Sequence, residues 1–527
     1  MAPKVHASVK LTTLSAFAWF GSRLFGFRLE SLLSLATWLC ASESFFFQNS
    51  SAIFDEPLGN RITHWVNTIP NDGLLHFFGL FGSEYLVPTS IESLSDVLTN
   101  RSYQFQKTSG FRRYGIRFFG DGIVVQESDK HKQSRKSFLQ AFNQRQVDRL
   151  KPVLSSKASQ IVQYVWEKCT LYENGEKNLK AANVKVGEFS RLISLDVMGI
   201  IALGHDFHGI SGQSQQIFEI FQALFSSSDQ KRSHFMWHNC APPWLINMFP
   251  SKTDSQMERA YEQLRKYLEQ LIPEKLASLN STIMTDQDIP TPQIACSGDF
   301  TEGEVIPQTI TTLSAGFEST ASILSWTLYC LAAYPEIQDS LRKELHIAKS
   351  SSNNTALMET DYESLPLLNA VCYETSRLYP TFAMTMRKAV SDTYINGRLV
   401  QAGTYIALVP RAINRAKHLW GADAEQFLPE RWIDRSNPLM PKINQLGGAS
   451  SPMCMLSFLY GSRSCVGRSL ALAEIRRVTA RLVETFDIQK SSSAEPIPVG
   501  WLSSGPPPDL DLIFVPITEF GLRIQEE

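Results

Sequence analysis

Phe458-Leu459-Tyr460-Gly461-Ser462-Arg463-Ser464-Cys465-Val466-Gly467 is the stretch on which the reading of this chain turns. It holds one cysteine, two glycines and one arginine in the pattern F-x-x-G-x-R-x-C-x-G, which an ordinary sequence of this length matches by chance on the order of once in ten thousand. A thiolate just ahead of a helix is stabilised by the unpaired N–H groups and the positive end of the helix dipole, here expected from Val466, Gly467 and the following turn. Gly461 and Gly467 let backbone pass close to a flat prosthetic group, and Arg463 can pair with an anionic group on its edge. A lone cysteine is usually a buried, inert residue. The surrounding pattern reverses that expectation for Cys465 but not for Cys454, which sits between Met453 and Met455 and reads as core.

Working outward, Glu374-Thr375-Ser376-Arg377 places an acid and a base at i, i+3 on one helix face. Phe427-Leu428-Pro429-Glu430-Arg431-Trp432 follows it. Upstream, Glu302 to Tyr334 reads as one long helix on the order of 45 Å. Thr301 and Glu304 have capping-box spacing at its start, and Pro335 stops it. Leu313, Ile323, Leu324, Trp326 and Leu328 make it apolar over most of its turns, so it should be buried. Within it lies Ala315-Gly316-Phe317-Glu318-Ser319-Thr320, where an acid next to alcohols is suited to moving protons.

Helical patterns dominate the N-terminal half, as in Val147 to Thr170, beside short strand-like pieces such as Glu84 to Pro88. Helices are expected over Glu336 to Ala348, Leu365 to Leu378 and from about Val466 to Phe486, with a surface loop over Lys349 to Thr360. Thr393 to Pro410 alternates around Asn396-Gly397, a pair suited to a hairpin. The fold class is therefore mainly α with small β-sheets.

The chain has 527 residues, of which 43% are hydrophobic and 19% charged, enough apolar material for a large core. Its net charge of -2 supplies no basic field for nucleic acid, which excludes that class of partner. The eight cysteines show no disulfide-framework or zinc spacing and suit reduced thiols facing the cytosol. Residues 1–50 form an apolar N-terminal segment in which Leu11 to Phe20 and Leu32 to Cys40 are separated by Arg23, Arg28 and Glu30. Two readings of it stay open: a membrane anchor, or an amphipathic segment lying on a surface. Residues 51–527 read as one catalytic domain.

Taken together and in this order, these motifs resemble the cytochrome P-450 family over about residues 60 to 520. The resemblance implies a long central helix crossing over a buried haem b, with Cys465 as axial ligand to its iron. It implies that Glu374, Arg377 and Arg431 form a buried ionic triad, and that Ala315, Gly316, Glu318, Ser319 and Thr320 serve oxygen activation, with Ser319 where the family usually has threonine. Serine keeps the hydroxyl but loses the methyl that limits its rotamers. His131 and Arg135 correspond to a family W-x-x-x-R pair at a haem propionate, with His131 replacing tryptophan; Arg387 falls where the family places another propionate-binding arginine. Phe458, Gly461, Arg463 and Gly467 complete the cofactor set. The substrate pocket is expected from Thr311, Thr312 and Ala315 with Phe382, Ala383 and Met384, closed by the loop from Phe105 to Gly122.

The implied activity is insertion of one oxygen atom from O2 into a small apolar organic substrate, in the manner of the fungal-type secondary-metabolite members. The chain carries no G-x-G-x-x-G fingerprint, so electrons should come from a separate flavin-containing NADPH reductase. Its docking face is expected to gather Lys130, Lys132, Lys136, Arg468, Arg476 and Arg477. A monomer at the endoplasmic-reticulum membrane, facing the cytosol, is the expected setting. A haem-thiolate isomerase or dehydratase independent of O2, and a non-catalytic haem sensor, are the competing readings. Glu318 and Ser319 speak against both.

Overall fold

In a computed structural model, the structure describes Ala52 and residues 55–79, 82–173, 176–213, 215–226, 228–279, 300–351, 362–437, 440–500 and 503–517. The apolar runs Leu11 to Phe20 and Leu32 to Cys40 lie outside them, as does most of the expected loop up to Thr360. Among the described residues no helix is long and apolar enough to cross a membrane.

The chain begins with α1 (Asn60–Thr68), β1 (Leu74–Phe78), β2 (Glu84–Pro88), α2 (Ile91–Ser95), β3 (Phe105–Lys107), α3 (Ser109–Phe119), α4 (Ser128–Ala141) and α5 (Gln144–Cys169). It continues through β4 (Thr170–Glu173), β5 (Glu176–Leu179), β6 (Ala182–Lys185), α6 (Val186–Leu203), α7 (Gln215–Phe225), α8 (Asp229–Cys240), α9 (Pro243–Met248) and α10 (Lys252–Leu279). Next come α11 (Glu302–Ala333), α12 (Pro335–Ser351), α13 (Pro366–Leu378), β7 (Thr385–Ala389), β8 (Thr393–Ile395), β9 (Arg398–Val400) and β10 (Tyr405–Leu408). The last elements are α14 (Pro410–Ile413), α15 (Lys417–Trp420), β11 (Ile433–Asp434), β12 (Lys442–Ile443), α16 (Arg468–Thr485), β13 (Phe486–Lys490) and β14 (Asp511–Pro516).

Helix α11 is the axis of the molecule. Its 32 residues span about 48 Å. The capping box is formed: the backbone N–H of Thr301 donates to Glu304 Oε2 at 3.1 Å. The helix is buried because its apolar residues meet the core on both sides. Ile323, Leu324, Trp326 and Leu328 join α5, α6, α13 and α16 in the larger cluster. Ile310, Leu313 and Phe317 join Phe221, Leu264 and Phe118 in a second one built from α3, α7 and α10. The expected loop over 105–122 is instead a strand followed by the eleven-residue helix α3, started by the Thr108 side chain accepting from Phe111 N. Helix α12 also runs further than expected, to Ser351, into the start of the expected surface loop.

A five-stranded sheet in the order β1-β2-β10-β7-β3 and a three-stranded sheet β13-β14-β6 flank the helices. The hairpin β8–β9 turns at Asn396 and Gly397, both with positive φ, as a type I′ turn requires. For the site, the decisive register is that of β3 on β7, which sets Lys107 opposite Arg387.

Candidate functional site

The 458–467 loop is a tight backbone construction ahead of α16. Cys465 N–H donates to the Phe458 carbonyl at 2.8 Å and Ser464 N–H to the Gly461 carbonyl at 3.1 Å. Leu459 and Gly461 both have positive φ. At Gly461 a Cβ would lie 2.0 Å from the Leu98 carbonyl oxygen, so the glycine is needed for close approach to a neighbouring chain segment. Helix α16 starts at Arg468 with Gly467 as its N-cap, placing Cys465 two residues further from the helix than the sequence suggested.

Cys465 is solvent-accessible although protein encloses it closely, as expected of a residue opening onto an internal space. Burial pushes its thiol pKa up, opposed by the Gly467 N–H and by the charges of Arg135 and Arg468. A ligand that bonds the thiolate would supply the stabilisation these groups only partly provide. Arg135 donates to the Ser464 carbonyl at 2.7 Å and hydroxyl at 2.8 Å, fastening α4 to the residue before Cys465.

Beside this loop lies a buried surplus of positive charge. Lys107, Arg387 and Arg463 share one carboxylate, Glu127, which bonds Arg463 and lies 3.4 Å from the Lys107 ammonium. Lys107 and Arg387 are direct partners on antiparallel strands, where like charges repel. Arg387 is buried, and among the described residues its guanidinium donates to the Thr385 hydroxyl and the Met386 carbonyl, each at 2.8 Å. Burial depresses Arg387 to about 10 and Lys107 to about 7. Burial raises Glu127, but Lys107 and Arg463 outweigh it and hold the carboxyl below its usual range. Two guanidiniums and a partly protonated Lys107 against one carboxylate leave an excess of positive charge, and burying it is costly unless an anion answers. Two carboxylates on the rim of a flat group, as a haem carries, meet that need. His131, buried, has Nδ1 3.0 Å from Tyr103 Oη. Burial, with Lys107 and Arg463, pulls it down to about 3, so it stays neutral. If Tyr103 donates to Nδ1, Nε2–H is a donor. Lys107, Glu127 and Tyr103 were not singled out in the sequence, where nothing local marks them.

Behind the loop, Glu374 and Arg377 are fully buried and bidentate, at 2.7 and 2.8 Å. Arg431 Nε, Trp432 Nε1 and the Leu428 N–H also donate to Glu374, at 3.0, 2.8 and 3.0 Å. Arg377 in turn donates to the carbonyls of Asn414, Ala424 and Gln426. The carboxylate thus has a donor for each lone-pair direction, which is what makes a buried ion pair tolerable.

On α11, Ala315 is exposed while Leu313 and Phe317 on either side are buried, so this face too opens onto internal space. Ser319 Oγ donates to the Ala315 carbonyl at 2.5 Å, and Thr320 is buried. Glu318 is held by Arg191 of α6 at 3.1 and 3.2 Å, a partner that sequence reasoning missed. At Gly316 a Cβ would meet Met198 Sδ at 2.2 Å, so the missing side chain lets α6 pack close against the helix.

The expected pocket residues differ in their surroundings. Thr311 and Thr312 are buried, Thr311 beneath Gly122, and Thr312 donates to the Gln308 carbonyl. Phe382 is 41% exposed, Ala383 is buried, and Met384 packs with the Val409 and Ala407 cluster. Two of the expected docking cations are also corrected. Arg476 and Arg477 are buried, Arg477 on Glu363 at 2.9 Å and Arg476 near Tyr373 Oη, so neither can face a partner protein. Lys130, Lys132, Lys136 and Arg468 are exposed; Lys130 pairs with Asp121 and Glu304, and Lys132 with Asp129.

Residues 78–514 match the family model described as Cytochrome P-450. The Cytochrome P-450 monooxygenase ptmK of Penicillium ochrochloron is 32% identical over 460 residues, covering 86% of this chain and 88% of that protein. The monooxygenase ALT8 of Alternaria alternata is 30% identical over 487 residues, 83% of this chain and 81% of its own. The monooxygenase sphH of Aspergillus fumigatus is 29% identical over 442 residues, with 82% and 79% covered.

Proposed function

The chain belongs to the cytochrome P-450 family and is a monooxygenase, and from that premise we propose that Cys465 binds haem iron in an enzyme that oxidises an apolar organic substrate with O2 and external electrons. The observation that carries the reading is the excess of buried positive charge beside the cysteine loop, carried by Arg387, Arg463 and Lys107 against the single carboxylate of Glu127. The haem, when bound, supplies the iron centre at which O2 is activated, with the thiolate favouring O–O cleavage.

The chain's own residues do the rest. The Gly467 N–H and the charge of Arg135 favour the thiolate form of Cys465. Arg387, Arg463 and Lys107, with His131 and Arg135, take the propionates. Ser319 Oγ gives up its bond to the Ala315 carbonyl and presents a proton to the open face of α11, with the Thr320 hydroxyl beside it in sequence. Glu318, once it has released Arg191 and taken up a proton from water, passes that proton on to Ser319. The relay moves only when Arg191 lets go.

Electrons come from a separate flavin-containing NADPH reductase that docks on exposed Lys132, Lys136 and Arg468. Similarity to the fungal monooxygenases supports a role in secondary metabolism. The protein acts as a monomer on the endoplasmic-reticulum membrane, facing the cytosol; exposed Trp244 and Met248 on the short helix α9 support an apolar contact with lipid.

The test is spectroscopic. The reduced protein with CO should show the red-shifted Soret band from which the family takes its name, and Cys465→Ala should lose it. A wild-type protein that binds haem without that band would overturn the ligand assignment. NADPH consumption that depends on substrate and reductase would separate a monooxygenase from an isomerase or sensor.

A further inference from the structure

We propose that His234, His238 and Asp254 form a binding site for a divalent transition metal of the zinc class, seated between α8 and α10 and remote in sequence from the cysteine loop. His234 and His238 are four residues apart and share one face of α8. Asp254 lies in the first turn of α10. The Nε2 atoms of His234 and His238 lie 3.1 and 2.9 Å from the same oxygen, Asp254 Oδ1. These three atoms fall within 4.8 Å of one another, and all three residues are buried.

The surroundings are those of a ligand set. Asp254 Oδ2 is occupied by the Ser251 N–H at 2.7 Å and hydroxyl at 2.8 Å, which fixes the carboxylate and leaves Oδ1 to face the imidazoles. Tyr114 Oη stands 3.4 Å from His234 Nδ1, an acceptor for the proton that would move there from Nε2 on metal binding. Burial lowers both imidazoles, His238 to about 4, so they are neutral as metal ligation requires. Burial raises Asp254, but the Ser251 bonds and His234 outweigh it and hold the carboxyl at about 2.

One cation competes. Arg117 of α3 lies 3.2 Å from Asp254 Oδ1, but it also bonds Glu258 of α10 at 2.7 Å through both Nε and Nη2. Glu258 can keep Arg117 when a metal takes Oδ1. Two imidazole nitrogens and one carboxylate oxygen, with water as a fourth ligand, make a tetrahedral zinc set. The metal would then tie α8 to α10 across the 241–251 segment, where α3 packs against both.

The experiment uses the full-length haem-loaded protein, treated with a chelator, desalted and titrated with zinc chloride. Calorimetry and metal analysis should give one bound zinc per chain, and zinc-edge X-ray absorption should show imidazole nitrogen at about 2.0–2.1 Å. His238→Gln and Asp254→Asn should each weaken binding by more than about 100-fold, and Tyr114→Phe by about 10-fold. An unchanged reduced-CO spectrum identifies the variants that remain folded. If none does, the wild-type absorption spectrum decides alone. Zinc affinity that the substitutions leave unchanged, or bound zinc without imidazole scattering, would overturn the site and leave the cluster a hydrogen-bonded brace.

Discussion

The two sides of α11 are held together by different physics. On the cysteine-loop side, α13, the 424–432 segment and the loop itself are fastened by buried charges whose every polar atom counts. Glu374 alone accepts from Arg377, Arg431, Trp432 and a backbone N–H. On the opposite side, apart from Arg117 pairing with Asp254 and Glu258, α3, α7 and α10 meet mainly through apolar and aromatic side chains such as Phe118, Phe221, Leu264 and Phe317. Directional bonds fix the Cys465 sulfur in one place. Non-directional packing tolerates repacking.

The sharpest way to break this comparison is Glu374→Gln. Removing one charge strands Arg377, which is fully buried, and breaking such a pair costs about 3–5 kcal/mol. The expected outcome is little folded protein and little haem incorporation, measured as reduced-CO absorbance per total protein. Haem content close to wild type would mean that the ionic network is dispensable and the contrast false.

The opposite side should respond differently. Leu264→Ala removes a fully buried side chain and should cost about 3 kcal/mol. The thermal midpoint should fall while the spectrum of the protein that remains folded is unchanged, because the loss lies in the second cluster and touches no ligand. Loss of the thiolate spectrum with the midpoint unchanged would show that the second cluster positions Cys465 directly.

That contrast also explains what could be read in advance. The cysteine loop, the i, i+3 pair at Glu374 and Arg377, the capping box at Thr301 and the Asn396-Gly397 turn are local in sequence, so their spacing reports their geometry. Arg191 and Glu318 are separated by 127 positions, and only the packing of α6 on α11 brings them together. Lys107 meets Arg387 only through strand register. Met198 explains Gly316, and no local pattern connects them. Arg476 and Arg477 misled for another reason: as charged residues they suggested a surface, although their neighbours Leu472, Ala473, Ile475 and Val478 mark α16 as a core helix.

Glu474 on α16 joins the two halves of the comparison and gives the smallest effect. It is buried, and its Oε1 accepts from Ser194 Oγ of α6 at 2.8 Å. Burial raises its carboxyl to about 7, well above the ordinary glutamate range, with the Ser194 bond opposing. The folded state therefore keeps a proton that the unfolded chain has already released. The stability this gives is complete below the unfolded value and is lost as pH rises through the folded one. Between about pH 5 and 7 the wild type should lose roughly 2 kcal/mol from this group. Glu474→Gln keeps an acceptor for Ser194 but cannot ionise, so urea unfolding of the variant should show a flatter slope over that range. A wild-type slope that the substitution leaves unchanged would place the coupling between α6 and α16 in packing alone, and extend to this junction the apolar logic of the far side of α11.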